Sequence, residues 1–199
     1  MNEKNEKITQ NIEIISPNMI LEAYSNGYFP MADDDDGKIY WYSPEPRAVF
    51  PIYDINPPRS VRQQAKKFGY THTLNADFEF VIRTCAARES TWISEEIIQV
   101  YKELSDMGFG VSIETWKDNE IVGGLYGVSI GKAFFGESMF TNVSGASKSA
   151  FYYLIEVLKF NKYILLDSQF INDHTKLLGA VEITRASYLK LLQIALQAD

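Results

Sequence analysis

The sequence predicts a mixed α/β (α+β) fold, on three observations. Apolar residues recur at helical spacing between residues 59 and 107, where capping residues and glycines separate the segments. From Gly110 the apolar pattern changes to the alternation of strands, broken by two short polar turns. A further helix, a short leucine-rich run and a last helix then follow. One chain therefore combines helices with a largely antiparallel sheet.

The predicted helices are bounded by start and stop signals. Ser16, with Pro17 directly after it, begins the first helix, and Gly27 ends it. Ser94 caps a later helix that ends before Gly108. Helices are expected between residues 16 and 27, over 59–68, over 78–85, over 95–107, from about 146 to 158 and from about 185 onward, with a helix-like turn before residue 180.

Turn residues separate the predicted strands. The turns lie at residues 43–46, which contain two prolines, at 118–119 and at 131–132. The acidic run 33–36 before Gly37 is expected to form a solvated loop, with cation binding as the alternative. Strands are expected at residues 39–42, 48–53, 111–116, 121–130, 133–140, 163–166 and 180–183.

The order of the C-terminal elements predicts a particular architecture. A three-stranded meander followed by helix, strand, helix and strand is the order of the acetyltransferase-like (GNAT) fold. We expect residues 71–199 to form this GNAT-like domain and residues 1–70 to form a small N-terminal lobe. Because one fold hosts many functions, the order by itself does not indicate a substrate.

Composition narrows the class of protein. Of 199 residues, 46% are apolar and 14% aromatic, which is typical of folded globular proteins. The net charge of −7 argues against a general nucleic-acid coat, so any RNA contact should be a local patch. The polar start and the lack of a long uncharged apolar run predict a soluble, cytoplasmic protein. A single cysteine, Cys85, and two histidines predict no metal site.

Several catalytic motifs are absent from the sequence. It has no serine nucleophile elbow, no P-loop and no dinucleotide-binding fingerprint, so we expect neither a covalent enzyme intermediate nor a cofactor. Residues 141–145 lead into the helix at about 146 without the basic residue and spaced glycines that bind the pyrophosphate of coenzyme A. An acyl-CoA N-acetyltransferase is therefore kept only as an alternative.

Three polar residues in or at the end of apolar strands are candidate site residues. Asp167 and Gln169 lie at i and i+2, so their side chains should point to one face and act together on a substrate amine. The alternative is that Asp167 caps the following turn. Glu137 lies inside an apolar strand, where an unpaired carboxylate is costly, and therefore needs a partner. An internal ion pair with Arg47 or Lys148 would supply one.

Positive charges concentrate on one side of the predicted helix over residues 59–68. They stand out because the protein as a whole is acidic. A solvated helix face is one explanation, and contact with RNA phosphates is the other. The four residues are Arg59, Arg62, Lys66 and Lys67.

Six separated segments carry a resemblance to a known family. They are residues 41–47, 91–93, 123–128, 134–140, 167–169 and 172–174. In order and spacing they closely resemble the bacterial leucyl/phenylalanyl-tRNA–protein transferases, over nearly the whole chain. The resemblance implies an enzyme that moves Leu, Phe or Met from aminoacyl-tRNA to the α-amino group of proteins with N-terminal Arg or Lys. The resemblance further implies that this transfer marks the acceptor proteins for N-end-rule degradation. It implies no cofactor and no metal.

The resemblance also implies roles for individual residues. Asp167 and Gln169 would lie at the reaction centre, where Gln169 positions the amine and Asp167, water or a ribose hydroxyl relays the proton. Glu137 would receive the basic first residue of the acceptor. The four cationic residues would bind tRNA, and Met31 stands where some relatives carry a tryptophan that could stack on the terminal adenine. The donor side-chain pocket would consist of Trp92, Leu125, Phe134, Met139 and Leu154, each of which could instead be ordinary core.

A second alternative to this enzyme is a binding module. Glu137 and Asp167 could hold basic protein N-termini without any reaction, and such a module would bind peptide without consuming aminoacyl-tRNA.

Overall fold

The computed structural model describes residues 5–8, 15–33, 38–87 and 91–198. Over these ranges the chain forms seven helices and ten strands. The helices are α1 (Pro17–Ser25), α2 (Arg59–Phe68), α3 (Phe78–Ala86), α4 (Glu95–Asp106), α5 (Ala146–Phe160), α6 (Asp173–Leu178) and α7 (Arg185–Gln197). The strands are β1 (Asn5–Ile8), β2 (Phe29–Ala32), β3 (Ile39–Pro44), β4 (Arg47–Phe50), β5 (Thr71–Leu74), β6 (Gly110–Lys117), β7 (Glu120–Ile130), β8 (Ala133–Thr141), β9 (Leu165–Gln169) and β10 (Val181–Ile183).

The strands form two sheets. A three-stranded sheet has the order β1-β3-β2, and a seven-stranded sheet has the order β10-β4-β9-β8-β7-β6-β5. The predicted meander is confirmed as β6, β7 and β8, and α5 connects it to β9, which pairs with β8 in parallel. The mixed α/β class and the order predicted for an acetyltransferase-like fold are therefore both present.

Most predicted helices are found where the sequence placed them, because their caps form as expected. The Ser16 and Ser94 hydroxyls accept hydrogen bonds from the backbone N–H groups of Met19 and Ile97. Gly69 ends α2 with a φ of 68°, the left-handed conformation that favours glycine. Three of the four acidic residues in the run 33–36, namely 34–36, lie outside the described residues.

The strand predictions need correction at several places. The strand expected at 163–166 begins only at Leu165, where pairing with β8 starts after a turn at residues 161–162, and it continues to Gln169. The strand expected at 48–53 ends at Phe50, since Pro51 starts a turn. Strands β1, β2 and β5 were not expected. Strand β2 contains Pro30, and β5 is a half-exposed sheet edge without apolar alternation, so neither has a clear strand pattern.

Two apolar layers cover the seven-stranded sheet. On one face, α1, α3, α4 and α7 bury residues such as Tyr24, Leu104 and Phe135. On the other face, α5 packs Phe151 and Leu154 against the meander. Strand β4, which belongs to the first 70 residues of the chain, lies inside the large sheet between β9 and β10. The division into lobes at residue 70 stays a prediction. Among the described residues, no helix is long and apolar enough to cross a membrane.

Two β-bulges open the centre of the large sheet. Tyr126 and Gly127 of β7 pair with Ser138 and Gly136 of β8, so Glu137 is the extra residue of a bulge. On the other side, successive residues of β4 pair with Asp167 and Gln169, so Ser168 is extra there. The parallel pairing of β8 with β9 stops at the same level, at Phe135 and Asp167. Beyond this level the two strands separate and leave a gap.

We expect Gly123→Ala to destabilise the protein, because Gly123 lets α5 approach the sheet. A Cβ atom there would lie 2.5 Å from the Cβ of Ala146 and 2.8 Å from its carbonyl carbon. The free energy of unfolding in urea should fall by roughly 1–3 kcal/mol. Gly136→Ala is the matched control, since its nearest atom would be 3.4 Å away. Equal losses in the two variants would contradict the close-approach explanation.

Candidate active site

A cavity of about 830 Å³ fills the gap between β8 and β9. Its walls come from both strands, from the first turns of α5 and α6, and from Met31 and Trp92. Polar groups of Glu137 and Gln169 lie where the strands begin to separate, and apolar side chains line the side next to α5. The bulges thus create a space in which polar and apolar surfaces meet.

A buried ion pair between Arg47 and Asp167 lies next to this cavity, which Asp167 also lines. Arg47 donates from Nε to Oδ1 over 2.9 Å and from Nη2 to Oδ2 over 2.6 Å. Both side chains are almost completely buried. Burial disfavours the charged guanidinium, yet the Asp167 carboxylate keeps the pKa of Arg47 above its ordinary value. The pair is therefore a fixed ionic connection between β4 and β9.

The remaining hydrogen-bonding capacity of this pair is also used. Arg47 Nη1 donates to the carbonyl oxygen of Gly27 over 3.2 Å. The Tyr188 hydroxyl donates to Asp167 Oδ2 over 2.9 Å, and the guanidinium lies over the rings of Phe29 and Tyr188. Asp167 Oδ1 accepts a further bond, 2.9 Å, from the backbone N–H of its neighbour at position 169. The turn-capping alternative for Asp167 is thus confirmed, in addition to its ion pair.

Glu137 lies in a separate network of neutral groups. Its Oε1 accepts from the Tyr24 hydroxyl over 2.5 Å and from Gln169 Nε2 over 2.8 Å, and its Oε2 faces the Tyr101 hydroxyl at 3.4 Å. Removal from bulk water raises the pKa of Glu137 to about 8, and the nearby charge of Asp167 adds to the rise. The hydrogen bonds from the two tyrosines and the glutamine act in the opposite direction. At neutral pH the carboxyl group is mostly protonated.

The two residues expected to share one face do not do so. The bulge at Ser168 places Asp167 and Gln169 opposite successive residues of β4, which face opposite sides of the sheet. Gln169 also has a φ of 63°, which turns its side chain across the gap to Glu137. The regular alternation that the i, i+2 spacing assumed is therefore broken by the bulge, although both residues line the same cavity.

The proposed internal ion pair of Glu137 with Arg47 is wrong as well, since Arg47 binds Asp167. Lys148 is exposed on α5 and makes no ion pair within the described ranges. The signal that sequence reasoning missed is the arginine in the apolar segment 47–50, which is as unusual in a buried strand as Glu137 is in β8.

Four of the five expected pocket residues line the cavity, namely Trp92, Leu125, Met139 and Leu154. Phe134 does not line it. With only 1% of its surface exposed, it packs behind them in the core around α5. Sequence reasoning missed several apolar residues of the wall, which are Phe50, Phe151, Leu166 and Leu178. His174 also lines the cavity and approaches the sulfur of Met139 to 3.1 Å.

The four cationic residues expected to contact RNA lie together on α2. All of them are exposed, and none forms an ion pair with a carboxylate of the described residues. Helix α2 packs against α5, and Gln64 of α2 donates to the carbonyl oxygen of Ser144, just before α5 begins. Met31 lies on β2 and reaches the cavity from the three-stranded sheet. The cationic face and the cavity are therefore connected through the start of α5.

The fold and the site together define a group-transfer enzyme. A carboxyl group and an amide meet in a cavity of about 830 Å³, and an apolar wall continues beside them. Alignment of two bound substrates is by itself a large contribution to catalysis of such a transfer.

Comparison with known proteins gives the family. Residues 49–193 match the family model described as leucyl/phenylalanyl-tRNA protein transferase, and residues 13–45 match the model of the N-terminal domain of that transferase. The leucyl/phenylalanyl-tRNA–protein transferase of Gloeobacter violaceus is 48% identical over 92% of this chain and 94% of its own length. That of Chlorobaculum tepidum is 48% identical over 89% of this chain and 93% of its own length. The chain belongs to the leucyl/phenylalanyl-tRNA–protein transferase family, and its class is that of an aminoacyltransferase.

Solved structures of more distant proteins are also similar. A GCN5-related N-acetyltransferase-like protein from Streptococcus suis is 14% identical, with a TM-score of 0.42 over 84% of this chain and 64% of that chain. The C-terminal domain of a lysylphosphatidylglycerol synthetase from Agrobacterium fabrum is 14% identical, with a TM-score of 0.43 over 79% of this chain and 53% of that chain. At these TM-scores neither structure bears on the function.

The buried ion pair can be tested with a double-mutant cycle. We expect Arg47→Leu and Asp167→Leu each to lower the free energy of unfolding by roughly 3–5 kcal/mol, because each leaves an unpaired buried charge. The double variant should lose clearly less than the sum of the two, since it removes both charges together. Urea unfolding measures all four proteins. Strict additivity would show that the two side chains do not depend on each other.

Proposed function

We propose that this enzyme transfers Leu, Phe or Met from aminoacyl-tRNA to the α-amino group of proteins that begin with Arg or Lys, which marks those proteins for N-end-rule degradation. The observation that carries the proposal is the Glu137–Gln169 pair in a cavity with an apolar wall. One half of this site suits a basic acceptor, and the other half suits an apolar donor.

The acceptor half depends on Glu137. Within the described residues its partners are two tyrosines and a glutamine, so no internal cation neutralises its carboxylate. A guanidinium or ammonium group that enters the cavity would favour the ionised carboxylate and form the missing ion pair. An apolar first residue offers no such compensation, which is the physical basis for a preference for Arg or Lys.

The donor half is the apolar wall next to α5. Leu125, Met139 and Leu154 line it, and Trp92 lies on the cavity wall as well. Methionine is unbranched and flexible, so Met139 can adapt to leucine, phenylalanine and methionine side chains. Because an apolar pocket discriminates by only about 1–3 kcal/mol per methylene, several large unbranched donors should be accepted.

The reaction needs alignment and one proton transfer. The acceptor nitrogen attacks the ester carbon, the new C–N bond forms, and the bond from that carbon to the ribose oxygen breaks. The proton lost by the nitrogen passes to the leaving oxygen through water or the neighbouring ribose hydroxyl. Gln169 holds the amine, since an amide is too weak a base to accept its proton. Asp167, whose oxygens already accept four bonds, acts as a positioning residue through the Gln169 backbone.

The donor RNA is held by the cationic face of α2. Arg59, Arg62, Lys66 and Lys67 are exposed without ion-pair partners among the described residues, so they are available to phosphates. Met31 contributes an apolar contact to the terminal nucleotide where the cavity meets the three-stranded sheet. An acyl-CoA donor or a purely binding role accounts less well for the combination of this cationic face with the cavity.

A transfer assay tests the proposal directly. Radiolabelled phenylalanine or leucine on tRNA is offered with proteins that are identical except for a first residue of Arg, Lys, Asp or Ala. We expect incorporation only with Arg and Lys, since only these supply a cation to Glu137. Equal incorporation with Ala would remove the acceptor assignment, and binding of the Arg protein without incorporation would favour the binding module.

The pH dependence of kcat/KM for the acceptor should identify Glu137. This parameter reports ionisations of the free enzyme and the free acceptor. The attacking α-amino group must be neutral, and its pKa is about 7.7–8.0. Glu137 must be ionised to bind a cation, and its pKa is about 8. At pH values below both pKa values, log kcat/KM plotted against pH should rise with a slope near 2 in the wild type and about 1 in Glu137→Gln. A slope of about 1 in both proteins would contradict the role of Glu137.

A further inference from the structure

The segment at residues 172–174 has no part in the proposed reaction, although it lies beside the site. Its histidine, His174, is in the first turn of α6 and lines the cavity. The Nε2 atom of this ring lies 3.1 Å from the sulfur of Met139 on β8. A thioether sulfur has no hydrogen to donate, so Nε2 must carry the proton and donate it. Nε2–H is also present in the charged ring, so the bond does not depend on the charge of the histidine.

This contact is a second bridge across the gap between β8 and β9. Backbone pairing of the two strands stops where the gap begins, and the bond from Gln169 to Glu137 is the first bridge. Met139 lies two residues beyond Glu137, which is about 7 Å further along β8 at the usual rise per residue. Its partner belongs to α6, the element that follows β9. Side chains therefore connect the two walls at two levels, first at the polar pair and then at the apolar wall.

The two ends of the second bridge differ in rigidity. The histidine has a fixed backbone, because a capping box between Asn172 and Thr175 starts α6 and the buried Leu178 anchors it. Met139 is half-buried, and its long unbranched side chain can adopt several rotamers. The hydrogen bond selects the rotamer that points the sulfur towards α6. His174 thus determines where the Met139 side chain lies.

We propose that His174 is a positioning residue that holds Met139 against α6 and thereby keeps the donor pocket wide enough for a phenyl ring. The inference rests on the proposed function, because it takes the apolar wall as the donor pocket. Without the bond, the Met139 side chain can turn into the cavity beside Leu125, its neighbour on β7. A phenylalanine side chain is larger than that of leucine and is therefore the more strongly disfavoured in the reduced space. His174 acts on the preference between these two donors.

Binding of two donor analogues tests this role without any turnover. The probes are phenylalanine and leucine, each joined by an amide bond to the 3′-amino group of 3′-amino-3′-deoxyadenosine, and titration calorimetry gives both dissociation constants. We expect His174→Ala to weaken binding of the Phe analogue roughly fivefold relative to the Leu analogue, which is the usual effect of one hydrogen bond. His174→Gln keeps an N–H donor and should stay within about twofold of the wild-type ratio.

A second substitution shows whether His174 acts through Met139. Met139→Leu nearly conserves the volume of the side chain and removes the sulfur. In that background His174→Ala should change the Phe-to-Leu ratio by less than about twofold. A direct contact of the histidine with the donor, or a general structural effect, would change the ratio in both backgrounds. Lys176→Ala is the matched control, since it removes an exposed side chain from the same helix that does not line the cavity, and it should leave the ratio unchanged.

Three results would overturn the proposal. They are an unchanged ratio in His174→Ala, an equal change of the ratio in the Met139→Leu background, and no measurable binding of either analogue to the wild type. The transfer assay separates this failure from a failure of the proposed function. Transfer by the wild type with an unchanged ratio in His174→Ala removes only the positioning role. A changed ratio without any transfer removes the proposed reaction and leaves the positioning role standing.

Discussion

The ion pair between Arg47 and Asp167 is the constraint on which the rest of the site depends. A guanidinium and a carboxylate are both taken out of water here, and such a loss of hydration is compensated only if nearly every donor and acceptor finds a partner. Two partners come from distant parts of the chain, Gly27 after α1 and Tyr188 on α7, and a third is the backbone of the neighbouring Gln169. The ion pair therefore fixes the end of β9 relative to the N-terminal elements and the last helix.

The position of Gln169 follows from this constraint. A left-handed backbone conformation is uncommon for glutamine, and it persists here because Asp167 accepts the bond from its N–H group. The turned side chain then reaches Glu137 across the gap, where the backbone pairing of β8 and β9 has stopped. One side-chain bond thus replaces strand pairing at the level of the cavity. Strand β8 is irregular at the same level, because Glu137 is the extra residue of a bulge there.

The charge distribution suits an acidic protein that handles RNA. The net charge of −7 disfavours general binding to phosphates, while four exposed cations on α2 give one local exception. Because the pKa of Glu137 is about 8, its carboxyl is mostly protonated at neutral pH and adds little negative charge to the cavity. A cation that arrives later favours its ionisation. In the proposed reaction, Glu137 would therefore tolerate an anionic donor and still attract a basic acceptor.

The sequence by itself determined the helices and the meander, because caps, glycines and apolar periodicity act locally. The family was indicated separately, by the resemblance of six motif segments to a known family. It also singled out Glu137, Asp167 and Gln169, since polar residues are conspicuous in apolar strands. It could not assign their partners. The Arg47–Asp167 pair joins residues 120 positions apart, and the two bulges that redirect Glu137 and Gln169 have no local signal. Only the tertiary structure decides such contacts, because a bulge depends on how neighbouring strands pair and a buried charge depends on what surrounds it.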